Sequence, residues 1–142
     1  MIITLERAIA IAALAHEGER DRKTGEPYIF HVMRVTMSMT NDKERIVAAL
    51  HDVVEHVEGW TLERLAQAGA PPEIVTAVDA LTRREGEDYL DFARRAAANP
   101  LARAVKVADL RDNLEATLRS APAHEREEKA QKYRAALRLI GV

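Results

Sequence analysis

Apolar residues recur with the spacing of an α-helix along nearly the whole chain, and few stretches alternate as β-strands do. Helix-breaking residues divide this pattern, with Gly25 and Pro27 in a polar loop and prolines at the start of later segments. The sequence therefore predicts a single all-α domain over residues 1–142, a bundle of about seven to eight helices. The predicted segments are about 5–17, 28–39, 43–57, 61–69, 71–82, 88–98, 99–120 and 122–140.

The composition excludes several classes of function. The chain lacks cysteine, which rules out disulfides, thiolate zinc sites and cysteine nucleophiles. Its net charge of −2 argues against a general nucleic-acid binder. No apolar run approaches the roughly 18 residues that span a bilayer, and Glu6 and Arg7 make the N-terminal segment a predicted helix rather than a signal peptide. We therefore expect a cytoplasmic protein without membrane or nucleic-acid partners, and the oligomeric state stays open.

Two adjacent ionisable residues, His51 and Asp52, lie inside an apolar run over residues 46–55 that has the character of a buried helix. Burying a polar group without a partner costs on the order of 2–7 kcal/mol, and burying a charge costs more. A bound metal ion would be a partner for both side chains at once. On a continuous helix Glu55 and His56 would share this surface, each about 40° from one member of the pair.

Two further candidate ligands, His31 and Asp109, lie in separate predicted helices. Together with His51 and Asp52 they make a set of two imidazoles and two carboxylates, which suits Mn, Fe, Co, Ni or Zn better than calcium. Each of the two also has a structural interpretation. His31 could be a satisfied core or surface histidine, and Asp109 could form a buried ion pair with Lys106, which lies three residues before it.

Three stretches of sequence carry a resemblance to a known family: AHEGERDRKTGEPYIFH (15–31), AALHDVVEH (48–56) and NPLARAVKVADLRDNL (99–114). The order of histidines and aspartates in them resembles the HD superfamily of metal-dependent phosphohydrolases, and most closely the hydrolase domain of RelA/SpoT-type alarmone enzymes and its stand-alone small relatives. The resemblance implies an HD-type helical bundle. It also implies that His31, His51, Asp52 and Asp109 bind one divalent metal ion, usually manganese, and that water activated by this metal removes the 3′-pyrophosphate of guanosine tetra- or pentaphosphate.

The resemblance implies roles for further residues. Glu55 matches the glutamate of the family's HDxxED run, which assists the attacking water. Arg22 and Lys23 match the RKxG loop that contacts the substrate, and Asn113 matches a substrate-contacting asparagine. His56 stands where the family has the second acidic residue of HDxxED. A histidine can still act as a general acid or base, since its unperturbed pKa is near 6.5.

Three functional hypotheses follow. The first is a stand-alone metal-dependent phosphohydrolase acting on a small nucleotide, with guanosine tetraphosphate as the substrate. Because the chain has no room for synthetase or regulatory domains, it is expected to hydrolyse and not to synthesise. The second keeps the metal but changes the substrate to another nucleotide or phosphoester, as His56 suggests. The third is a catalytically silent nucleotide-binding module. His16 and His124 fit no role in any of them and are predicted to be structural or exposed.

Overall fold

The computed structural model describes all 142 residues and contains nine α-helices and no β-strand, which confirms the predicted all-α class. A single isolated bridge joins Arg20 to Pro27 in the loop between the first two helices. None of the helices combines the length and the apolar character that a membrane span requires. The helices are α1 (Leu5–Ala15), α2 (Ile29–Met37), α3 (Asp42–Leu50), α4 (Val53–His56), α5 (Leu62–Gln67), α6 (Pro72–Ala80), α7 (Tyr89–Ala98), α8 (Ala102–Ser120) and α9 (Ala123–Ile140).

Side-chain caps fix where several helices begin. Thr4, Asn41 and Thr61 each accept a hydrogen bond from the backbone N–H three residues further on, and Asp88 accepts one from Leu90 and one from Asp91. These bonds satisfy N–H groups that have no partner within the helix. The four helices that these residues cap consequently start within about one residue of the predicted positions. Helix α8 begins about three residues after its predicted start.

The predicted helix over residues 43–57 is wrong in one respect, because it is interrupted at His51 and Asp52. Helix α3 ends at Leu50, and the one-turn helix α4 begins at Val53. The His51 Nδ1–H donates to the carbonyl oxygen of Ala48. A regular helix would use this oxygen for the backbone N–H of Asp52. Apolar periodicity cannot reveal such a side-chain bond, which competes locally with the helix.

Helix α3 lies at the centre of the molecule and packs against α1, α2, α6 and α8. Its last four residues, Val47 to Leu50, are completely buried. A smaller apolar cluster forms where α8 and α9 meet α7. The polar pair His51–Asp52 therefore follows directly on the most buried turn of the fold, and this rigid support fixes its position.

The turn between α6 and α7 is held by Arg95. Its guanidinium group donates to the backbone oxygens of Asp79 (3.1 Å) and Thr82 (2.9 Å) and forms hydrogen bonds of 2.8 and 2.9 Å with the two carboxylate oxygens of Glu87. The hydrogen bond from Arg95 lowers the pKa of Glu87 from its ordinary 4.5 to about 2. Arg83, whose backbone contacts the functional site, lies in this turn.

The Arg95–Glu87 pair predicts a pH-dependent contribution to stability. Because the pKa of Glu87 is lower in the folded chain, the contribution is complete above pH 4.5 and disappears as the pH falls towards 2. We expect Glu87→Gln to lower the free energy of unfolding by about 1 kcal/mol at pH 6, with no difference from the wild type near pH 2. Urea unfolding across this range measures the difference. Glu85→Gln, which removes an exposed carboxylate without a partner, is the control.

Candidate metal centre

Four side chains from three separate stretches of chain converge in the interior of the bundle. Helix α2 supplies His31, the break between α3 and α4 supplies His51 and Asp52, and α8 supplies Asp109. Each offers one ligand atom, and these four atoms all lie within 4.8 Å of one another. The Asp109 Oδ1 atom is 3.0 Å from His31 Nε2 and 3.4 Å from His51 Nε2. The Asp52 Oδ2 atom is 3.1 Å from His51 Nε2.

The four side chains are buried, with relative exposures of 1% for His31, 2% for His51, 7% for Asp52 and 8% for Asp109. Burial alone would raise the pKa of the Asp109 carboxyl, but Lys106 and His31 hold it well below its usual range. Burial would likewise raise the pKa of Asp52, but the neighbouring charge of His51 lowers it. Both carboxylates are therefore ionised and able to bind a cation.

The other nitrogen of each imidazole has an acceptor of its own. The His31 Nδ1–H donates to Asp112 Oδ2 at 2.6 Å, and the His51 Nδ1–H donates to the Ala48 carbonyl oxygen. Metal-ligating histidines nearly always bind an acceptor in this way, because it fixes the tautomer and the ring orientation. Both rings consequently direct Nε2 towards the two carboxylates.

The buried Nε2 atom of His51 has no hydrogen-bond partner, although it lies close to Asp52. A buried polar atom without a partner is uncommon and requires a reason. Two imidazole nitrogens and two carboxylate oxygens are hard or borderline donors, and together they form a suitable set for a divalent transition metal. The cluster thus fits a divalent metal ion, which would satisfy the unpaired nitrogen and neutralise the two carboxylates.

The contact between His31 and Asp112 yields a prediction about metal affinity. Asp112 also forms hydrogen bonds with Arg34, at 2.7 and 3.2 Å, so its position is fixed from the far side. We expect Asp112→Asn to weaken Mn²⁺ binding by about 10–100-fold, the usual effect of removing such a supporting carboxylate. Isothermal titration calorimetry would measure the change. Glu115→Gln, in an exposed position on the same helix, should bind the metal as the wild type does. An unchanged affinity in Asp112→Asn would contradict the prediction.

A cleft of about 150 Å³ opens beside the cluster and is lined by His51, Asp52 and Asp109 on one side. Its other walls carry a concentration of cationic and aromatic side chains. Burial lowers the pKa of Lys132, and the positive charges of Arg83 and Lys23 lower it further. An anionic ligand would relieve this crowding of positive charge. The cationic and aromatic lining residues are Arg83, Lys106, Lys132, Tyr28, Tyr89, Phe92 and Tyr133.

Both residues predicted to assist catalysis line this cleft. The Glu55 Oε1 atom accepts a hydrogen bond of 2.6 Å from the backbone N–H of Arg83, which fixes the carboxylate at the cleft. The His56 Nε2 atom lies 3.6 Å from Glu55 Oε2 and 3.8 Å from Asp52 Oδ1. Burial would lower the pKa of His56, but hydrogen bonds and charges from its acidic neighbours raise it to about 9.

The residues predicted to contact substrate are only partly brought together. The Lys23 Nζ atom donates to Asn113 Oδ1 at 3.3 Å, and the Asn113 side-chain amide donates to Asp109 Oδ1 at the same distance. Lys23 and Asn113 thus lie at the edge of the metal centre. Arg22 is exposed in the same loop, makes no side-chain hydrogen bond and does not line the cleft.

Asp109 was interpreted from the sequence as either a metal ligand or the partner of Lys106 in a buried ion pair, and its position suits both roles. Its Oδ1 atom faces the two histidines of the cluster, while its Oδ2 atom lies 3.4 Å from Lys106 Nζ. Lys106 is only 4% exposed, and its ammonium group lies 4.2 Å from the centre of the Phe92 ring. The buried ion pair and the candidate metal site therefore share one carboxylate.

Two aromatic residues and an isolated histidine also have clear positions. The Tyr28 hydroxyl donates to Asp52 Oδ2, so this ring belongs to the site. Trp60 packs against the core and is covered by the guanidinium of Arg64 at 3.7 Å. His124 is exposed, as predicted.

Several residues at or beside the centre were not predicted from the sequence. Asp112 contacts His31, and Arg83 and Lys132 line the cleft. Nothing in the local sequence distinguishes Arg83 or Lys132. A weak signal existed for Asp112, which lies three residues after Asp109 and so on the same side of α8. His16 is buried, the first of the two placements predicted for it, but its contact with Glu19, which also binds His56, was not predicted.

Comparisons with known proteins agree with this architecture. An alignment of 122 positions that covers 78% of this chain shows 30% identity to a guanosine-3′,5′-bis(diphosphate) 3′-pyrophosphohydrolase of Aquifex aeolicus. An alignment of 141 positions that covers 89% of this chain shows 30% identity to a GTP pyrophosphokinase of Streptomyces coelicolor. The chain spans only 17% and 16% of the length of these two relatives. No family model matches the chain.

A solved structure extends the likeness to the fold. It is described as a metazoan ortholog of SpoT that hydrolyses ppGpp and plays a role in starvation responses. The two structures superpose with a TM-score of 0.76 at 26% sequence identity, over 94% of this chain and 85% of the other. The chain is thus an HD-type helical domain with a candidate metal centre. Within that class it is a RelA/SpoT hydrolase-like domain, which confirms the resemblance found in the sequence.

Proposed function

We propose that this chain is a metal-dependent phosphohydrolase that removes the 3′-pyrophosphate of guanosine tetra- or pentaphosphate. The observation that carries the proposal is the buried set His31, His51, Asp52 and Asp109 at the wall of a cleft crowded with cations. The names of the relatives support the same substrate. The proposed substrate is a small nucleotide, the proposed working unit is one domain over residues 1–142, and the cytoplasm remains the predicted compartment.

The four residues of the cluster are the proposed metal ligands, with Mn²⁺ as the preferred ion and Fe, Co, Ni or Zn as alternatives that the same donors accept. A divalent ion at such a site lowers the pKa of water and polarises a phosphoryl group. The protein holds the donors ready through the bonds of His31 to Asp112 and of His51 to Ala48. Each ring is thereby kept in one orientation.

Glu55 is the proposed acceptor of the proton that the attacking water loses. The backbone N–H of Arg83 binds its Oε1 atom, which leaves Oε2 to receive the proton. The water oxygen forms a bond to the phosphorus linked to the ribose 3′ oxygen, and the bond between that phosphorus and O3′ breaks. O3′ takes up a proton, so the products of guanosine tetraphosphate are guanosine diphosphate and pyrophosphate. His56, 3.6 Å from Glu55, is the second proposed catalytic group.

Substrate binding is assigned to the rim of the cleft. Lys23 and Asn113 are held together by a hydrogen bond next to Asp109, and Lys132 and Arg83 add positive charge from α9 and the turn between α6 and α7. Cationic side chains of this kind bind phosphate oxygens through charge-assisted hydrogen bonds. Arg22 stays a predicted contact, because its exposed side chain has no partner in the protein.

A direct assay tests the proposal. Purified protein is incubated with Mn²⁺ and guanosine tetraphosphate, and the release of guanosine diphosphate and pyrophosphate is followed by ion-exchange chromatography. The chelated protein and the Asp52→Ala variant are the blanks, and Asp42→Ala on the surface is the matched control. Turnover that needs both the metal and Asp52 supports the proposal. No products above the Asp52→Ala blank would refute it.

A substrate panel separates the proposal from its main alternative, a phosphatase for another nucleotide or phosphoester. The specific observation in favour of the alternative is His56, which stands at the cleft where the resemblance implies an acid. The panel contains nucleoside monophosphates, nicotinamide dinucleotide phosphate and a generic phosphoester. If the protein preferred one of these compounds, the proposed substrate would change and the proposed metal chemistry would stay the same. Tight nucleotide binding without any turnover would instead identify a silent binding module.

A further inference from the structure

A second polar cluster lies directly behind His56. The Glu19 carboxylate binds two imidazoles, with Oε1 at 2.9 Å from His16 Nδ1 and Oε2 at 2.8 Å from His56 Nδ1. Glu19 belongs to the loop after α1, and 37 positions separate it from His56. Nothing in the predicted metal centre required an acidic side chain at this place.

The charge on Glu19 determines which atom of His56 faces the cleft. An ionised carboxylate only accepts hydrogen bonds, so both imidazoles must donate their Nδ1–H to it. The Nε2 atom of His56 is then left on the other side of the ring, 3.6 Å from Glu55 Oε2 and 3.8 Å from Asp52 Oδ1. Glu19 thereby fixes the direction of the His56 ring and keeps a proton on its Nδ1 atom.

His16 in turn fixes Glu19. Its ring is only 2% exposed and lies 5.2 Å from the ring of Tyr28, centre to centre, so it has little freedom to move. The His16 Nε2 atom is buried without a hydrogen-bond partner. If His16 bound a metal ion through Nδ1, the proton of its ring would lie on Nε2, where no acceptor is present. Histidines that bind a metal normally have an acceptor at that position. The trio is therefore better explained as a hydrogen-bonded chain than as a second metal site.

We propose that Glu19 is a positioning residue for the hydrolytic site and supplies, from a different segment, the carboxylate that the family resemblance places at position 56. The chain has His56 at that position and an acid in contact with it, so the negative charge lies one side chain further from the cleft. This inference rests on the proposed function and concerns the same site. It assigns a role to Glu19 and His16, which neither the metal centre nor the cleft uses.

A charge-exchange cycle tests the proposal. Glu19→Gln removes the charge while keeping the size of the side chain. His56→Asp places a second carboxylate against Glu19. In the double variant the carboxylate introduced at position 56 faces the amide introduced at position 19, so one acceptor is again paired with one hydrogen-bond donor. We expect each single change to lower kcat by about 10–100-fold, the range of a group that supports proton transfer, with KM changed less than about threefold. The double variant should recover at least about 10-fold over either single variant, since contacting residues are strongly non-additive.

Two controls match the two substitutions. Glu17→Gln removes an exposed carboxylate two residues before Glu19, and His124→Asp introduces the same aspartate at an exposed histidine. Both should keep the wild-type kcat and KM. Binding of Mn²⁺ should change by less than about threefold in Glu19→Gln, since Glu19 lies behind His56 and not among the four ligands.

A measurement without turnover keeps this proposal separate from the proposed function. Nitrogen-15 spectra of the full chain loaded with Zn²⁺, recorded at a pH above the pKa of His56 so that its ring is neutral, should show the remaining proton on Nδ1 in the wild type. The same spectra should show it on Nε2 in Glu19→Gln. If the wild type hydrolyses none of the substrates, the proposed function fails while this spectrum still tests the positioning role. Unchanged tautomers, additive effects in the cycle, or a second equivalent of Zn²⁺ lost in Glu19→Gln would each overturn it.

Discussion

Asp109→Asn is expected to abolish metal binding and to destabilise the fold at the same time. One oxygen of this carboxylate faces both histidines of the cluster, and the other lies 3.4 Å from the ammonium of Lys106. Loss of a ligand should weaken Mn²⁺ binding by more than about 100-fold, beyond the effect of a supporting residue. The same change leaves Lys106 buried without its carboxylate, and breaking a buried pair in this way costs about 3–5 kcal/mol.

A second substitution separates the two effects of Asp109→Asn. In the double variant with Lys106→Met the unpaired charge is gone, so the free energy of unfolding should recover by at least about 2 kcal/mol. Metal binding should stay absent. Urea unfolding of the chelated proteins and calorimetric titration with Mn²⁺ measure the two quantities. Asp91→Asn, whose partner Arg94 is exposed, is the control for removing a surface carboxylate. Recovery of metal binding in the double variant would contradict the assignment of Asp109 as a ligand.

Leu50→Ala is expected to cause a large loss of stability. Leu50 is completely buried at the end of α3, the helix around which the others pack. Removing a buried leucine side chain typically costs about 2–5 kcal/mol through lost transfer free energy and the cavity left behind. Because His51 follows directly, we also expect weaker Mn²⁺ binding in this variant.

The control for Leu50→Ala is Leu14→Ala. Leu14 is 74% exposed on α1, so its truncation should change the free energy of unfolding by less than about 0.5 kcal/mol. Urea denaturation of both variants gives the comparison, and thermal unfolding gives an independent measure. Equal effects of the two substitutions would mean that α3 does not form the centre of the core.

Much of the fold was predictable because helical periodicity and capping residues act locally. Thr4, Asn41 and Thr61 precede apolar repeats in the sequence, and each caps a helix in the structure. The interruption after Leu50 was not predictable from periodicity. It depends on a hydrogen bond from a histidine side chain to a carbonyl oxygen three residues earlier, and the apolar pattern continues unbroken across it.

The predicted ligands were accessible to sequence reasoning because an ionisable pair in an apolar run is conspicuous. His31 and Asp109 could be named because the resemblance linked them to that pair, and the structure brings all four atoms together. Their roles as ligands remain a prediction. Glu19 could not be named, since an acidic residue in a polar loop ordinarily faces solvent. Only the tertiary contact with His56 distinguishes it from its exposed neighbour Glu17.

The break at His51–Asp52 has a consequence for how the site assembles. Both residues keep right-handed helical backbone angles across it, and their side chains meet, with His51 Nε2 and Asp52 Oδ2 3.1 Å apart. The dipeptide would thus supply two metal ligands whose donor atoms already lie close together. The four donor atoms come from three stretches of chain. The conformational entropy of ordering His51 and Asp52 is lost when the core folds, so it is not lost again when a ligand binds.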